Sequence, residues 1–332
     1  MTISPKALSV HRRSILIDGR DPTFLLYRRT GNEKPDYWDS IRASGFTAIT
    51  VDVPEVEDGF ADAAVNYVAW QRRVDAVPWA TVIRSAADIR AAKADDRVGF
   101  ILSSQTPTIF ENRIELVRAN YDLGLRVVQL SYQKRNLIAD GCGEPQDGGV
   151  SAYGRLVIDE LNRLGVAIDI SHASDRTMRD AIALSAAPPF FSHSNARAVV
   201  PHPRNVPDEV LRDLAAVGGI CCISAYADFL KQGGSVTGTT LSDYVDMVRY
   251  VADLIGVENI GIGFDVGEAR TAAEVAHIGG ADPTKRYVMQ LRSRRDLPLL
   301  TEILLERGFS EDEVAGIMGG NLLRYYETVW GS

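Results

Sequence analysis

Residues 166–193, VAIDISHASDRTMRDAIALSAAPPFFSH, decide the fold. They contain two short apolar runs, Val166–His172 and Pro189–His193, and both runs end in Ser-His. Such runs, with Gly or Pro before them and polar residues after them, are typical of buried parallel strands, and the stretch between them is helical in character. Neighbouring parallel strands end at the same edge of a sheet, so we predict that the two histidines lie side by side there. Two structural histidines bonded to loops are the alternative.

The alternation of strand and helix continues along the whole chain. Amphipathic stretches with apolar residues three and four positions apart lie between the apolar runs, and several of them end at a glycine, as helices with a glycine C-cap do. Eight units of this kind predict an α/β fold, a (β/α)8 TIM barrel, rather than an open doubly wound sheet. We expect one domain over residues 1–332, with C-terminal helices covering the barrel. The eight predicted strands are 14–17, 47–53, 98–103, 126–132, 166–172, 189–193, 219–225 and 260–265.

Composition excludes several classes of function. The net charge of −8 argues against a general binder of nucleic acid or of acidic membranes. No apolar run approaches the roughly 20 residues that span a bilayer, and the polar start of the chain predicts no signal peptide. Three cysteines make no disulfide framework. We therefore expect a cytoplasmic protein without a nucleic-acid or membrane partner.

The ends of the predicted strands carry the candidate chemistry. His172 and His193 end the fifth and sixth strands, and Asp265 ends the eighth. Neutral imidazoles bind Zn²⁺ or a similar ion, and a nearby carboxylate can take a proton from water. These three residues therefore predict a hydrolase site. For Asp265, a cap of the following loop is the alternative.

Two arginines stand at the same edge. Arg204 lies in the long loop after the sixth strand, where it could hold a substrate carboxylate through a two-pronged hydrogen bond, or form a surface salt bridge. Arg20 follows the first strand and needs an anion to face. Its partner is either the substrate or one of the carboxylates of Asp21 and Asp265.

Taken together, these segments resemble the renal (membrane) dipeptidase family of zinc peptidases over nearly the whole chain. That family has a metallo-dependent-hydrolase-like (β/α)8 barrel with two zinc ions bridged by a glutamate. The resemblance implies that His172 and His193 match two ligands of one zinc. It also implies that Arg204 matches the arginine that holds the substrate carboxylate, and Asp265 the aspartate that works on the substrate amine or the attacking water. The segments that carry it are 122–126, 154–165, 169–172, 191–195, 202–205, 261–265 and 319–324.

Four positions depart from the family pattern. Arg20 and Pro22 stand where the His and Asp ligands of the other zinc are expected. Gln105 stands at the position of the bridging glutamate, and Tyr132 at that of a histidine that contacts the substrate. A neutral amide is a poor bridge between two dications, and a guanidinium repels a metal ion. The resemblance therefore implies one zinc ion or none.

Three functions remain open from the sequence. The first is a hydrolase of dipeptides or related small amides with one zinc on His172 and His193, completed by Gln105 or Asp265, and with Arg204, Arg20 and Tyr132 around the substrate. The second is a diverged lyase, isomerase or tailoring enzyme acting on a small carboxylate with one metal or none. The third is a non-catalytic small-molecule-binding protein. Relatives often pair as dimers, so a homodimer is also an expectation.

Overall fold

The computed structural model describes residues 2–24, 36–234, 238–265, 288, 290–291 and 293–331. Within them, every strand belongs to one parallel sheet with the order β6-β5-β4-β2-β1-β9-β8-β7, and β3 pairs with β4 beside this path. The strands are β1 Ile17–Asp21, β2 Ala48–Asp52, β3 Ala80–Ile83, β4 Val98–Ser104, β5 Val127–Gln129, β6 Ala167–Asp169, β7 Phe191–Ser194, β8 Cys221–Ile223 and β9 Ile260–Ile262.

The sheet closes on itself between β6 and β7. The amide of Phe190, just before β7, donates to the carbonyl of Ile168 at 3.0 Å, and the amide of Ile170 donates to the carbonyl of Phe190 at 2.9 Å. A parallel bridge between Asp169 and Phe190 lies at the same place. Eight strands therefore form a (β/α)8 barrel, and all of their carboxyl ends point to one mouth.

Helices follow most of the strands and pack around the barrel. Three of them end at a glycine in the left-handed αL conformation, namely Gly45, Gly124 and Gly165. A residue with a Cβ adopts this conformation only at an energetic cost. The α-helices are Pro5–Arg13, Tyr37–Ser44, Phe60–Asp75, Ala86–Ala94, Glu115–Leu123, Ala152–Leu164, Asp175–Leu184, Asp208–Ala216, Ala227–Leu230, Leu241–Ile255, Leu297–Glu306, Glu311–Ala315 and Asn321–Trp330.

The last helix covers the end of the barrel opposite the mouth. Leu322 and Tyr326 belong to a buried cluster with Ile17, Ala48 and Ile101, which lie on three of the strands. Tyr326 also reaches into the barrel, where its hydroxyl lies 3.2 Å from that of Thr50. Because this end is packed with apolar side chains, the mouth is where polar chemistry can be placed.

The barrel prediction is confirmed, with three differences of detail. β3 was not predicted, because Ala80–Ile83 is short and half-buried. β1 lies at 17–21 rather than at 14–17, so Arg20 is inside a strand instead of in the loop that follows. His172 lies in the turn after β6 rather than at its end. The predicted start of a helix near residue 287 falls outside the described residues, and the single domain stays a prediction.

Candidate active site at the carboxyl ends of the strands

The guanidinium group of Arg20 lies inside the barrel, and its side chain is fully buried. It forms ion pairs with Asp52, at the end of β2, and with Asp169, at the end of β6, where the distance from Nη2 to Oδ2 is 2.5 Å. It also donates to the hydroxyls of Ser103 on β4, at 3.2 Å, and of Ser192 on β7, at 3.0 Å. One cation on β1 therefore ties together four other strands.

The structure corrects the predicted partners of Arg20. The sequence left the substrate, Asp21 and Asp265 open as partners, whereas the carboxylates in contact are those of Asp52 and Asp169. Each of these two is the one acidic residue in an otherwise apolar run. A charge in such a run needs a buried partner, because an unpaired one is costly, and this signal could have identified both.

Two glycines allow β7 to come close to β1 and β9. A Cβ at Gly263 would lie 1.7 Å from the carbonyl oxygen of Ser192, and a Cβ at Gly19 would lie 2.7 Å from the same oxygen. Neither distance is possible between non-bonded atoms, so both positions require glycine. The backbone of Ser192 is consequently fixed inside the barrel between its neighbours.

The imidazoles of His172 and His193 lie side by side at the mouth, as the paired Ser-His endings predict. Their Nε2 atoms are 3.0 Å apart, and their ring centroids are 5.0 Å apart with the planes inclined by 55°. Burial, followed by the charges of Arg204 and Arg20, holds the pKa of both imidazoles well below the usual range. Both rings are therefore neutral at physiological pH, which is the form that binds metal ions.

The two histidines differ in what holds their other ring nitrogen. Nδ1 of His193 lies 2.6 Å from the hydroxyl of Ser192. Nδ1 of His172 is buried, and it has no hydrogen-bond partner in the part of the chain that the structure describes. His172 also has a φ of +64°, a left-handed conformation that is uncommon for a residue with a Cβ. Strain of this kind, of order 1–3 kcal/mol, persists where the surroundings impose it, and it clusters at functional sites.

Arg204 is a buried cation beside His193. Its Nη2 donates to the carbonyl oxygen of His193 at 2.8 Å, and its Nη1 donates to the hydroxyl of Ser194 at 3.1 Å. Only 2% of the residue is exposed, and Nε has no partner among the described residues. Within those residues no carboxylate lies at ion-pair distance from the guanidinium. A buried charge without a counter-ion is costly, so this position favours a bound anion.

Tyr132 forms one wall of the mouth. Its ring stacks on that of His172, with centroids 4.3 Å apart and planes inclined by 29°. A cavity of about 610 Å³ opens beside it, between the loops that follow β2, β4 and β5. The cavity is lined by Val56, Glu57, Thr106, Thr108, Tyr132, Gln133, Lys134, Arg135 and Asn136.

Gln105 and Asp265 also lie at the mouth. Gln105 directly follows β4 and is buried, and in the described part of the chain its side chain forms no hydrogen bond with either imidazole. Asp265 is half-buried, and its backbone amide donates to the carbonyl oxygen of Arg20 at 3.2 Å. Its φ is +55°, a second left-handed residue at this site.

Two nitrogen donors at the mouth have a spacing that a single metal ion could span. Two imidazole nitrogens at about 2.0–2.1 Å from a tetrahedral zinc are about 3.3 Å apart, close to the 3.0 Å between the Nε2 atoms of His172 and His193. Within the described residues, no group of three or more His, Cys, Asp or Glu side chains could hold an ion. An ion on the two imidazoles would therefore need Gln105, Asp265 or water to complete its coordination.

Comparison with known proteins identifies the family. The sequence model of the family described as membrane dipeptidase, peptidase family M19, matches residues 71–330. The chain belongs to this family. Dipeptidase verJ of Clonostachys rogersoniana is 32% identical over 74% of this chain and 59% of its own length. Dipeptidase 3 of Rattus norvegicus is 27% identical over 98% of this chain and 67% of its own length. The chain thus spans only part of the curated dipeptidases that it matches.

Solved structures agree on the fold. An amidohydrolase from Pseudomonas aeruginosa superposes with a TM-score of 0.88 at 31% identity, covering 98% of this chain and 99% of the other. A metallopeptidase from Rhodobacter sphaeroides, solved with a phosphinate mimic of the dipeptide L-Ala-D-Ala, has a TM-score of 0.80 at 21% identity, covering 96% of this chain and 100% of the other. In the described part of this family member, no helix has the length and apolar character of a membrane span.

Proposed function

We propose that this chain is a membrane-dipeptidase-like metallohydrolase that cleaves a dipeptide or a related small amide. The observation that carries the proposal is the pair of neutral imidazoles, His172 and His193, whose Nε2 atoms face each other at 3.0 Å beside a buried arginine. The dipeptidase names of the curated relatives and the dipeptide mimic bound to the Rhodobacter sphaeroides enzyme support it.

One zinc ion would be held by His172 and His193, with Gln105, Asp265 or water completing the site. When bound, zinc lowers the pKa of a coordinated water and polarises a carbonyl group. Arg20 occupies the other half of the barrel mouth with a guanidinium, which supports one ion rather than two. Asp265 serves as the general base that takes a proton from the attacking water.

Arg204 binds the free carboxylate of the substrate. Among the described residues, Nε of Arg204 has no hydrogen-bond partner and the guanidinium has no carboxylate at ion-pair distance. The guanidinium can therefore form hydrogen bonds and an ion pair with a bound carboxylate. The rest of the substrate extends towards Tyr132, where the cavity of about 610 Å³ is larger than a single amino-acid side chain needs. We therefore expect small amides with a free C-terminal carboxylate and a bulky group on the amine side. Arg20, whose guanidinium is already paired with Asp52 and Asp169, supports the site from within rather than touching the substrate.

One observation favours a second candidate, a diverged enzyme without metal. The contact between the two Nε2 atoms is also a normal hydrogen bond between neutral imidazoles, provided that one of them carries the proton. In that case His172 and His193 would act as an acid–base pair on a small carboxylate. Metal analysis separates the two candidates, because only the first requires an ion.

The test of the hydrolase proposal uses Arg204→Met with zinc-supplied protein and two forms of each dipeptide. Charge-assisted hydrogen bonds contribute about 1.5–3 kcal/mol, so KM for the free carboxylate form should rise about 10- to 100-fold. KM for the amidated form should stay unchanged. Arg197→Met is the matched control, because Arg197 lies in the same region but pairs with Asp175 at 2.6 Å.

Two results would overturn the proposal. An equal rise in KM for the carboxylate and amide forms would show that Arg204 does not bind the substrate carboxylate. Absence of hydrolysis of any small amide by zinc-supplied wild-type protein would contradict the hydrolase proposal itself.

Cellular location and assembly stay predictions. The three cysteines are free, which supports a reducing cytoplasm. A homodimer is expected because relatives often pair as dimers. Size-exclusion chromatography with light scattering measures the oligomeric state directly.

A further inference from the structure

We propose that Ser192 is a positioning residue that holds the proton of His193 on Nδ1, and that Arg20 and Asp169 fix the Ser192 hydroxyl for this purpose. The inference deepens the proposed function, because it assigns the network that prepares His193 for a metal ion. It concerns the protein's own protons, so it can be tested without any substrate.

The hydroxyl of Ser192 has four polar neighbours and a single proton. Oγ lies 2.5 Å from Oδ2 of Asp169 and 2.6 Å from Nδ1 of His193. It also lies 3.0 Å from Nη2 and 3.2 Å from Nε of Arg20. A guanidinium donates hydrogen bonds and never accepts them, so Oγ of Ser192 accepts from Arg20 with one of its lone pairs. The proton of Ser192 is therefore directed either to Asp169 or to His193.

Asp169 is the acceptor that decides between them. Its Oδ1 accepts from the backbone amides of Ser171 at 2.9 Å and Ser192 at 3.1 Å, and its Oδ2 accepts from Arg20 at 2.5 Å. Because three donors are already directed at its two oxygens, the Asp169 side chain acts as an acceptor towards the Ser192 hydroxyl. Ser192 consequently donates to Asp169, and its remaining lone pair accepts the proton that His193 carries on Nδ1.

The two imidazoles then have opposite tautomers. With its proton on Nδ1, His193 presents a bare Nε2 to its neighbour. The contact of 3.0 Å then requires His172 to carry its proton on Nε2, and this leaves Nδ1 of His172 bare, consistent with its lack of a partner among the described residues. Zinc binding requires both Nε2 atoms bare, so only His172 changes its tautomer on loading.

Arg20 gives this arrangement its rigidity. The guanidinium, Asp169 and Ser192 are all buried, and Gly19 and Gly263 keep the Ser192 backbone in place. Oriented groups around the second nitrogen of a metal-binding histidine change metal affinity by about 10- to 100-fold. The Arg20 guanidinium on β1 thus influences metal affinity by holding Ser192, which in turn orients His193.

The experiment is long-range ¹H–¹⁵N NMR of the histidine side chains in the full chain, first stripped of metal and then with zinc added. We expect His193 to carry its proton on Nδ1 in both states and His172 to move its proton from Nε2 to Nδ1 on zinc addition. A wild-type His193 with its proton on Nε2 overturns the inference, whether or not any variant folds.

The matched variants are Ser192→Ala and Ser103→Ala. Both serines are buried against Arg20, but only Ser192 touches an imidazole. Ser192→Ala should release the tautomer of His193 and weaken zinc binding about 10- to 100-fold, whereas Ser103→Ala should leave the tautomer unchanged and weaken zinc binding less. If Ser192→Ala leaves both the tautomer and the zinc affinity unchanged, the inference fails. If the metal-free tautomers are as expected but zinc does not bind, the metal proposal fails and the positioning role of Ser192 stands.

Discussion

The two halves of the barrel mouth solve the problem of buried charge in different ways. In the arginine half, made of Arg20, Asp52 and Asp169, a tethered cation meets two carboxylates and no part of the three side chains is exposed. In the imidazole half, His172 and His193 are neutral and leave nitrogen atoms facing each other. The cation of the first half is paired with carboxylates of the protein, whereas we propose that the two neutral imidazoles of the second half hold an ion.

This difference explains how the chain departs from its family. The resemblance places two zinc ions in such a mouth, and here a guanidinium stands where the ligands of one of them are expected. A guanidinium cannot leave and cannot activate water, but it can form ion pairs with the carboxylates of Asp52 and Asp169. The fold is thus kept, while the chemistry that we propose is confined to the imidazole half.

The largest expected effect comes from breaking the arginine half. Arg20→Met removes the cation and leaves two buried carboxylates facing each other. Removing one partner of a buried pair destabilises by about 3–5 kcal/mol, so the free energy of unfolding in urea should fall by about that amount. The exposed pair of Arg118 and Asp122, 2.9 Å apart on a helix, is the control. Arg118→Ala should cost about 0.3–0.5 kcal/mol, and similar losses in the two variants would contradict the comparison.

The next effect depends on pH and comes from a carboxyl group next to the arginine half. Burial, followed by the charge of Asp21, raises the pKa of Asp18 from 3.8 to about 8. Between these values the folded protein keeps a proton that the unfolded chain releases, so stability falls as pH rises, by at most about 1.4 kcal/mol per pH unit. Above about pH 8 this contribution stops changing.

The variant Asp18→Asn should remove that slope. The Asn oxygen can still accept from the backbone amides of Arg20 and Phe264, as Oδ1 of Asp18 does at 3.2 and 3.0 Å. Urea unfolding of wild type and variant from pH 5 to pH 8 measures the difference, with the variant gaining on the wild type as pH rises. Parallel pH profiles would show that Asp18 is not protonated in the folded protein.

The smallest effect is expected at the wall of the imidazole half. Tyr132→Ala removes the ring stacked on His172, and loss of a group that orients a metal-binding histidine costs about tenfold or somewhat more. Zinc affinity and kcat/KM should both fall by that factor, while Tyr132→Phe should keep the zinc affinity. If the two variants bind zinc equally well, the stacking does not orient His172.

The sequence predicts most of the fold because its signals are local. Apolar runs and capping glycines depend on neighbouring residues, and they identify all eight strands of the barrel. β3 is not predicted because it lies beside the barrel strands and its side chains are only half-buried, so it lacks a continuous apolar run. The side-by-side histidines follow from the topology, since His193 lies in β7 and His172 lies in the turn after the neighbouring parallel strand β6.

The partners of Arg20 could not be predicted with the same ease. Asp52 and Asp169 are distant in sequence from Arg20, and their contact depends on strand tilt and on the direction of each side chain. Asp21, one of the partners that the sequence left open for Arg20, is paired with Arg294 at 2.7 Å. Ion pairs inside a barrel are set by register across several strands, which sequence spacing does not give.

Zinc stoichiometry tests the central claim most directly. Wild-type protein expressed with zinc, dialysed and measured by plasma mass spectrometry should contain one equivalent, and His193→Ala of verified fold should contain none. Two equivalents in the wild type would contradict the closed arginine half. No zinc in the wild type, or one equivalent retained by His193→Ala, would show that the facing imidazoles do not hold the ion.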